Sequence, residues 1–511
     1  MRRIILDRRS DVPLYAQLHQ ALLKQVREGS LRAGDRLPSV VALAKTLGVT
    51  QSTVLRAYED LVSAGYLESH VGRGTFVRSP EAPGAEAAPD SALFKRSPVE
   101  PIDPEFALAA RRLRMGVAKS LEALQVLAER PGLIRFISGI PDPAIARPDL
   151  LGELTRAALE RGAGAYQGYG PHAGLEDLRE AVARRLDPSG KSISADQVLI
   201  TSGSQQAVSI LAQAALEQQQ RVACEVPCYM GIPNAFGAIG HWVESVPRDP
   251  EGPLPDRFQR LADGRPVLFY LCPELHNPMG TDLSPARRGA LVEWARRQNV
   301  TLIADEIFHD LRFEGQAPAS LIEDAGAERT VVIGSLSKSF MCGLRIGWLV
   351  SSAERVRSLV GLKRAMDISC PPLMQGLALA LLRSGAYDEH VARARQHYRT
   401  RRDAALKALK EHMPKGVSWT HPKGGFHLWV ELPAGYSSIA LYLLAIERGV
   451  AISPGPQMDV DHRFIPAFRL SYGSVEPAKI RKGVELLADA TRQLLKQKPS
   501  DPGLSGLGSL L

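Results

Sequence analysis

Lys338 stands in the run SLSKSFMCGLRIGW, from Ser335 to Trp348, among residue types suited to capturing a phosphorylated aldehyde. A lysine amine condenses with an aldehyde to a Schiff base. The hydroxyls of Ser335 and Ser337 and the guanidinium of Arg345 can hold the phosphate. A second phosphate element lies upstream, where Ser202-Gly203-Ser204-Gln205 joins VLIT to the helical pattern SQQAVSILAQAAL. Small residues there let backbone N–H groups approach an anion, and the helix dipole favours its charge. Taken alone, this turn looks like many other strand-to-helix turns. Tyr229, after Pro227, offers a face for stacking on a ring, although a lone tyrosine is more often core. Asn277, at the Asn-Pro turn of CPELHNPMG, brings an amide that can bond a phenolic oxygen. Asp305 ends VTLIAD, where a carboxylate can pair with a protonated ring nitrogen. Two unit charges at contact attract by about 4 kcal/mol at an effective dielectric near 20. Arg469, flanked by apolar residues in FRLSYG, suits bidentate capture of a carboxylate. Gly139, in ISGIPDP, can offer a backbone N–H to the same group.

The elements that must position these residues follow from the pattern past residue 104. Short β-branched runs (VLITSG, RVACEV, VLFYLC, VTLIADEIF, TVVIGSLS and GWLVSS) alternate with amphipathic helical segments. That alternation predicts an α/β domain with a largely parallel sheet, its large part spanning about residues 130–350. Ligands of such sheets bind at the carboxyl ends of the strands, where the candidate residues fall. From about 352 to 495 the chain turns helix-rich and then gives FHLWVEL, VAISPG and FRLSYG, which predicts a smaller α+β domain.

In chain order the set reads phosphate turn, stacking aromatic, Asn, Asp, Lys, Arg and carboxylate Arg. Over residues of about 105–495 this resembles the fold-type I aminotransferases. The resemblance implies pyridoxal 5′-phosphate (PLP) as cofactor, held by Ser204, Gln205, Tyr229, Asn277, Asp305, Ser335, Ser337 and Arg345, with Lys338 as the Schiff-base amine. It implies that Arg469 and Gly139 take the substrate carboxylate. It also implies a homodimer in which Tyr169, in YQGYGPHAG, reaches the neighbouring subunit's phosphate. Two departures stand out. Phe308 occupies the place of a tyrosine that commonly shares the phenolic oxygen with Asn, and P-x-x-Q-N-P-T-G is loosened to P-E-L-H-N-P-M-G.

The N-terminal 78 residues are a different text. PLYAQLHQALLKQVREGSL, residues 13–31, sets Leu14, Leu18, Leu22 and Val26 on one helical face. Pro38 and Ser39 start a second helix that ends at Gly48, Thr50 opens a third that stops at Gly65, and two short runs flank the turn SHVGRG. Two short helices across a tight glycine turn, followed by a hairpin, predict a winged helix-turn-helix. The segment from Gly34 to Val77 resembles the winged helix of GntR-type transcription regulators along its length, in its LPS start, L-A-x-x-L-G-V turn, A-Y-x-x-L helix and G-x-G-T-F-V wing. The resemblance implies double-stranded DNA as partner, with Thr50, Gln51, Ser52 and Thr53 offered to base edges. Arg36, Ser39, Arg56, Gly72 and Arg73 would lie along the backbone or minor groove. Val41 and Gln51 replace frequent arginines, which weakens the backbone contribution to affinity.

Charge agrees with that reading without deciding it. Residues 1–78 hold twelve Lys or Arg against seven Asp or Glu, a surplus of five within a net charge of +8 for 511 residues. Such a basic module fits nucleic acid, and it also fits a solvated surface. Residues 79–103, rich in Pro and Ala, read as a linker, and 496–511 as a low-order tail. Five cysteines predict a reducing compartment, and Cys224 with Cys228 lacks a second pair at zinc spacing, so no metal is expected. No run approaches a membrane span, and the start of the chain does not read as a signal peptide, so the expectation is a cytoplasmic protein.

A GntR winged helix, a linker and an aminotransferase-like body in one chain resemble the MocR-type subfamily of regulators. That implies a PLP-dependent transcription regulator whose effector is an amino acid, an amine or PLP itself. Ligand capture would free Lys338 and shift the small domain or the dimer, a coupling that requires the ligand to bind the two states differently. The alternatives are an active aminotransferase with an auxiliary winged helix, and a binding module with a vestigial site.

Overall fold

The computed structural model describes much of residues 17–77 and, apart from short breaks, residues 127–499. The chain groups into two compact units, Met1–Ile102 and Asp103–Leu511. The expected linker at 79–103 and residues 500–511 of the tail lie outside the described residues.

In the first unit, helix α1 (Val40–Leu47) starts where Ser39 Oγ accepts the Ala42 N–H at 3.2 Å. It ends at Gly48, whose φ of 64° is the left-handed cap conformation that costs a glycine little. Thr50 opens the next helical segment by accepting the Thr53 N–H at 3.3 Å, and Gln51, Thr53, Val54, Tyr58 and Leu61 are helical. The hairpin follows, β1 (Leu67–His70) against β2 (Gly74–Val77), antiparallel, with Leu67 opposite Val77. Leu18, Leu22, Leu43, Val54, Tyr58, Leu61, Leu67 and Val77 form one core beneath these elements. Burying each of the larger apolar side chains stabilises the unit by roughly 1.5–3 kcal/mol. Leu14, which the helical pattern groups with Leu18, lies outside the described residues.

The second unit is built on an eight-stranded sheet. Its strands are β3 (Val198–Thr201), β4 (Arg221–Val226), β5 (Val243–Asp249), β6 (Gly252–Pro253), β7 (Val267–Leu271), β8 (Val300–Asp305), β9 (Thr330–Ser335) and β10 (Gly347–Val350). They lie in the order β3-β10-β9-β8-β7-β4-β5-β6. The centre, from β9 to β5, is parallel, whereas β10 runs antiparallel to both neighbours and β6 antiparallel to β5. The central strands are buried along their length, which is why they read as continuous apolar runs without alternation. Helix α2 (Ser204–Glu217) follows β3, and the short helix α3 (Leu336–Ser339) follows β9.

The later part adds the long helix α4 (Ala386–His412) and a four-stranded antiparallel sheet. Its strands β11 (Ser418–Trp419), β12 (His427–Glu431), β13 (Ser453–Pro454) and β14 (Ala467–Ser471) lie in the order β11-β12-β14-β13. Helix α5 (Pro477–Leu495) packs against α4. Two predicted strands are shorter than their apolar runs. VTLIADEIF stops pairing at Asp305, because the chain turns into a 3-10 segment at His309–Leu311. VAISPG divides, Val450–Ala451 pairing with Ile134–Arg135 and Ser453–Pro454 with β14. No helix among the described residues is long and apolar enough to cross a membrane.

Candidate functional site

Lys338 follows β9, and the charges that act on it include Asp305, at the end of β8, and Arg345, which is bonded to the turn after β3. The Lys338 Nζ donates to the Gly139 carbonyl at 2.6 Å. Burial, the positive Arg469 and Arg345 lower its pKa, while Asp305 and Cys342 act the other way. The net shift favours the unprotonated amine, the form that attacks a carbonyl.

Asp305 is held at the end of β8 by two neutral donors. Tyr270 Oη donates to Oδ2 at 2.6 Å and the Ile307 N–H to Oδ1 at 3.3 Å. Burial pushes its carboxyl pKa up, against the pull of those bonds and of Lys338. A buried carboxylate raised in this way gains most from a cationic partner. Tyr229 is 42% exposed, and its ring fills the space over Gly231, where an added Cβ would come within 2.3 Å of Cε1.

The phosphate elements meet at Gly203. This residue precedes α2 with φ of 81°, and a Cβ there would lie 2.7 Å from Arg345 Nη2. Arg345, itself at φ 54°, donates to the Ser202 carbonyl at 2.8 Å. The strand-to-helix turn and the guanidinium are therefore one cradle. Gly203→Ala should push Arg345 out of it and lower the affinity for a phosphorylated ligand by roughly tenfold, the scale of one charge-assisted hydrogen bond; equilibrium dialysis against PLP checks this. Ser204 begins α2, and Gln205 turns its amide to the Gly231 carbonyl at 3.0 Å. Ser335 caps α3, accepting the Ser337 N–H at 3.0 Å, and the two hydroxyl oxygens lie 2.9 Å apart.

Arg469 lies on β14, opposite Trp429 of β12. Its Nη1 donates to Asn277 Oδ1 at 2.9 Å and its Nη2 to the Ile137 carbonyl at 3.1 Å. Burial lowers its pKa to about 10, so it stays charged at neutral pH. Its Nε, also buried, has no hydrogen-bond partner among the described residues. Because Asn277 Oδ1 faces Arg469, the amide's remaining groups for a ligand oxygen are its N–H donors. Gly139 lies beside Lys338 with its carbonyl engaged by the amine. Phe308 is buried, with its ring edge-on to Phe426 and His427 at 5.1 Å and 5.6 Å between centroids. Tyr169 is 82% exposed.

These residues fit PLP on three observations. There is a cradle that a single Cβ would fill, a buried carboxylate with only neutral hydrogen-bond donors, and an amine whose pKa is lowered beside it.

The structure also assembles residues that the sequence did not single out. Tyr270 holds Asp305, and burial together with the Arg469 and Lys338 charges holds the His427 pKa well below the ordinary value. Behind Asn277, Glu225 accepts the Cys272 N–H at 2.5 Å and lies 3.1 Å from Arg248 Nε and 3.3 Å from His276 Nε2, all fully buried. Burial and Arg248 push the His276 pKa down to about 4, so the ring is neutral at pH 7 and Arg248 is the charge that balances Glu225. Cys224 Sγ and Cys228 Sγ lie 4.0 Å apart, both buried.

In the first unit, Gln51 and Thr50 are exposed at the start of the third helix. Arg36 bridges backbone to Phe76 and stacks its guanidinium 5.9 Å from that ring. Ser39 uses its hydroxyl on the α1 cap. Ser52, Arg56, Gly72, Arg73 and the side chain of Val41 lie outside the described residues.

Comparison with known proteins matches both units. Residues 138–487 match the family "Aminotransferase class I and II", and residues 14–77 match "Bacterial regulatory proteins, gntR family". The HTH-type transcriptional regulator TauR of Rhodobacter capsulatus is 32% identical over 94% of this chain and 96% of its own length. The 2-aminoadipate transaminase of Thermus thermophilus is 33% identical over 74% of this chain and 95% of its own length. Among solved structures, the multiple substrate aminotransferase of Thermococcus profundus superposes with a TM-score of 0.69 at 28% identity, covering 74% of this chain and 95% of that one. With both halves thus matched, the chain belongs to the class I and II aminotransferase family and carries a gntR-family helix-turn-helix domain at its N-terminus.

Proposed function

We propose that this protein is a PLP-dependent transcription regulator of the MocR type. It binds double-stranded DNA through residues 1–78 and senses an amino acid or amine through residues 104–495, acting as a homodimer in the cytoplasm. The observation that carries the reading is the pairing of units: relatives matched over nearly their whole length, TauR among them, are named HTH-type transcriptional regulators.

In this reading the cradle of Ser204, Ser335, Ser337 and Arg345 holds the cofactor phosphate, with Gln205 supporting the turn. Tyr229 stacks on the ring, Asn277 donates to its phenolic oxygen, and Asp305 pairs with its nitrogen. Bound there, PLP supplies an aldehyde that links covalently to amines and a ring that withdraws electrons. Lys338 is the chain's own amine for that link, and the lowered pKa keeps it ready to exchange with an incoming one. Arg469 receives the ligand's carboxylate, with Gly139 beside it. Tyr169, exposed in one protomer, is available to the phosphate of a second copy. Thr50, Gln51, Ser52 and Thr53 face bases, with Arg36, Ser39, Arg56, Gly72 and Arg73 along the backbone.

A second reading, an active aminotransferase, draws on the likeness to the Thermus transaminase. Phe308 argues for the sensing role, since it supplies no hydroxyl beside Asn277 and leaves the phenolic oxygen one donor short. Mixing the holo-protein with an amino acid and a keto acid decides between the two. A regulator gives a spectral change with at most slow turnover, plus salt-sensitive protection of its own promoter. Sustained turnover without DNA protection overturns the proposal.

A further inference from the structure

His427 is the residue in this pocket to which the preceding reading gives no task. It lies on β12 directly opposite Ser471 of β14, and two positions along the ladder Trp429 lies opposite Arg469. Strand alternation therefore places His427, Ser471 and Arg469 on one face of the small sheet. The ring is fixed through Nδ1, which lies 2.9 Å from Ser471 Oγ. Its other edge is turned to the space over Gly139. A Cβ at Gly139 would sit 3.6 Å from His427 Cε1, 3.9 Å from His427 Nε2 and 3.9 Å from Lys338 Nζ. The absent side chain thus leaves a gap shared by the free edge of the imidazole and the reacting amine.

An α-amino acid that takes the place of Lys338 on the cofactor aldehyde, releasing the lysine as a free amine, holds its carboxylate one carbon from the exchanged nitrogen and so close to Lys338. On the facing sheet, Arg469 and His427 are the nitrogen donors, with Ser471 bonded to the imidazole and Ser453 to the guanidinium. We infer that His427 donates from Nε2 to the ligand carboxylate, making with Arg469 a two-donor site that selects α-amino acids over plain amines. The inference rests on the proposed function and deepens it by naming the ligand class.

The groups facing the ring support a neutral donor. Lys338 approaches from α3, Arg469 and Ser471 from β14 and His276 from the turn after β7, while Phe308 and Phe426 pack their rings against it at 5.6 Å and 5.2 Å. Burial, Arg469 and Lys338 hold its pKa well below the ordinary value. A neutral imidazole has one N–H. We take the Ser471 hydroxyl as the donor to Nδ1, which puts that N–H on Nε2, facing the gap. A Cβ at Gly139 would fit in ordinary contact with the ring and the amine, and would occupy the space in front of the donor.

The test uses the full-length holo-protein and the smallest matched pair of probes, L-alanine and ethylamine, so that side-chain fit plays no part. Apparent affinities are read from the absorbance change of the bound cofactor. His427→Phe should lower the alanine-to-ethylamine affinity ratio by about tenfold or more, the worth of a buried hydrogen bond to a charged group. His427→Gln, which keeps a donor, should retain most of the ratio. Ser471→Ala, which frees the ring to rotate, should lower it by a few fold, and it decides the matter if the phenylalanine variant does not fold. An unchanged ratio in His427→Phe or Ser471→Ala, or equal loss in the Phe and Gln variants, overturns the inference. Failure of the wild-type protein to bind PLP would instead sink the proposed function, and is seen before any amine is added.

Discussion

Asp305→Asn should abolish stable retention of PLP while making the cofactor-free protein more resistant to unfolding. The carboxylate is buried with neutral hydrogen-bond donors, and burial raises its pKa. A group whose folded pKa is raised contributes its full stability at low pH and loses it as pH rises through that pKa. At pH 7 the ionised form is therefore a cost to the empty protein; a neutral amide removes it, its oxygen still accepting the Ile307 N–H while the Tyr270 hydroxyl turns to accept from the amide N–H. The bound cofactor reverses the sign, because a protonated ring nitrogen compensates the charge. Contact attraction of about 4 kcal/mol at an effective dielectric near 20 corresponds to a loss of roughly a hundredfold or more in affinity once part of it is given back as solvation. Equilibrium dialysis against PLP and a thermal melt of the cofactor-free protein read the two effects. The wild-type protein should also lose affinity for PLP as pH falls through the raised pKa of Asp305. A variant that retains PLP as well as the wild type would remove Asp305 from the ring-nitrogen role.

Arg469→Ala should leave PLP bound and cut the apparent affinity for L-alanine by roughly a hundredfold. The guanidinium keeps its charge despite burial, and its Nε has no partner among the described residues. Such a group is poised for an anion, since an unpaired buried donor costs about 1–3 kcal/mol until it is satisfied. The substitution also strands the Ile137 carbonyl and Asn277 Oδ1, which Arg469 now bonds, so a modest fall in melting temperature accompanies it. Arg469→Lys should recover little, because a point charge cannot reproduce the planar fork. Unchanged alanine affinity in Arg469→Ala would place the carboxylate elsewhere.

The two-part division and the choice of candidate residues around Lys338 rest on local signals. Lys338, Ser335, Ser337 and Arg345 lie within one run, and the winged-helix signals sit at short fixed spacings. Asp305 stands out in the sequence because a carboxylate closing an apolar run is unusual, and the structure buries it at the strand end. The sheet order was not legible, since β10 is antiparallel between β3 and β9 although its residues follow β9 closely in the chain. His427 and Tyr270 escaped for a similar reason. Each reads as an ordinary strand residue, and each acquires its meaning from a partner 44 or 35 residues away, Ser471 or Asp305. Glu225 is likewise an isolated acid inside RVACEV until folding sets Arg248 and His276 against it. The shortened strand at Asp305 shows the limit of apolar runs: Ile307 and Phe308 are buried by packing after the ladder has ended.

The central claim is that Lys338 is the amine that joins this chain to PLP. Hydride reduction of the purified holo-protein, followed by proteolysis and mass spectrometry, tests it most directly. A phosphopyridoxyl label on the peptide carrying Lys338, and no visible chromophore left after reduction, is the predicted result. A label on another lysine, or no label on a protein that still binds PLP, would contradict the account.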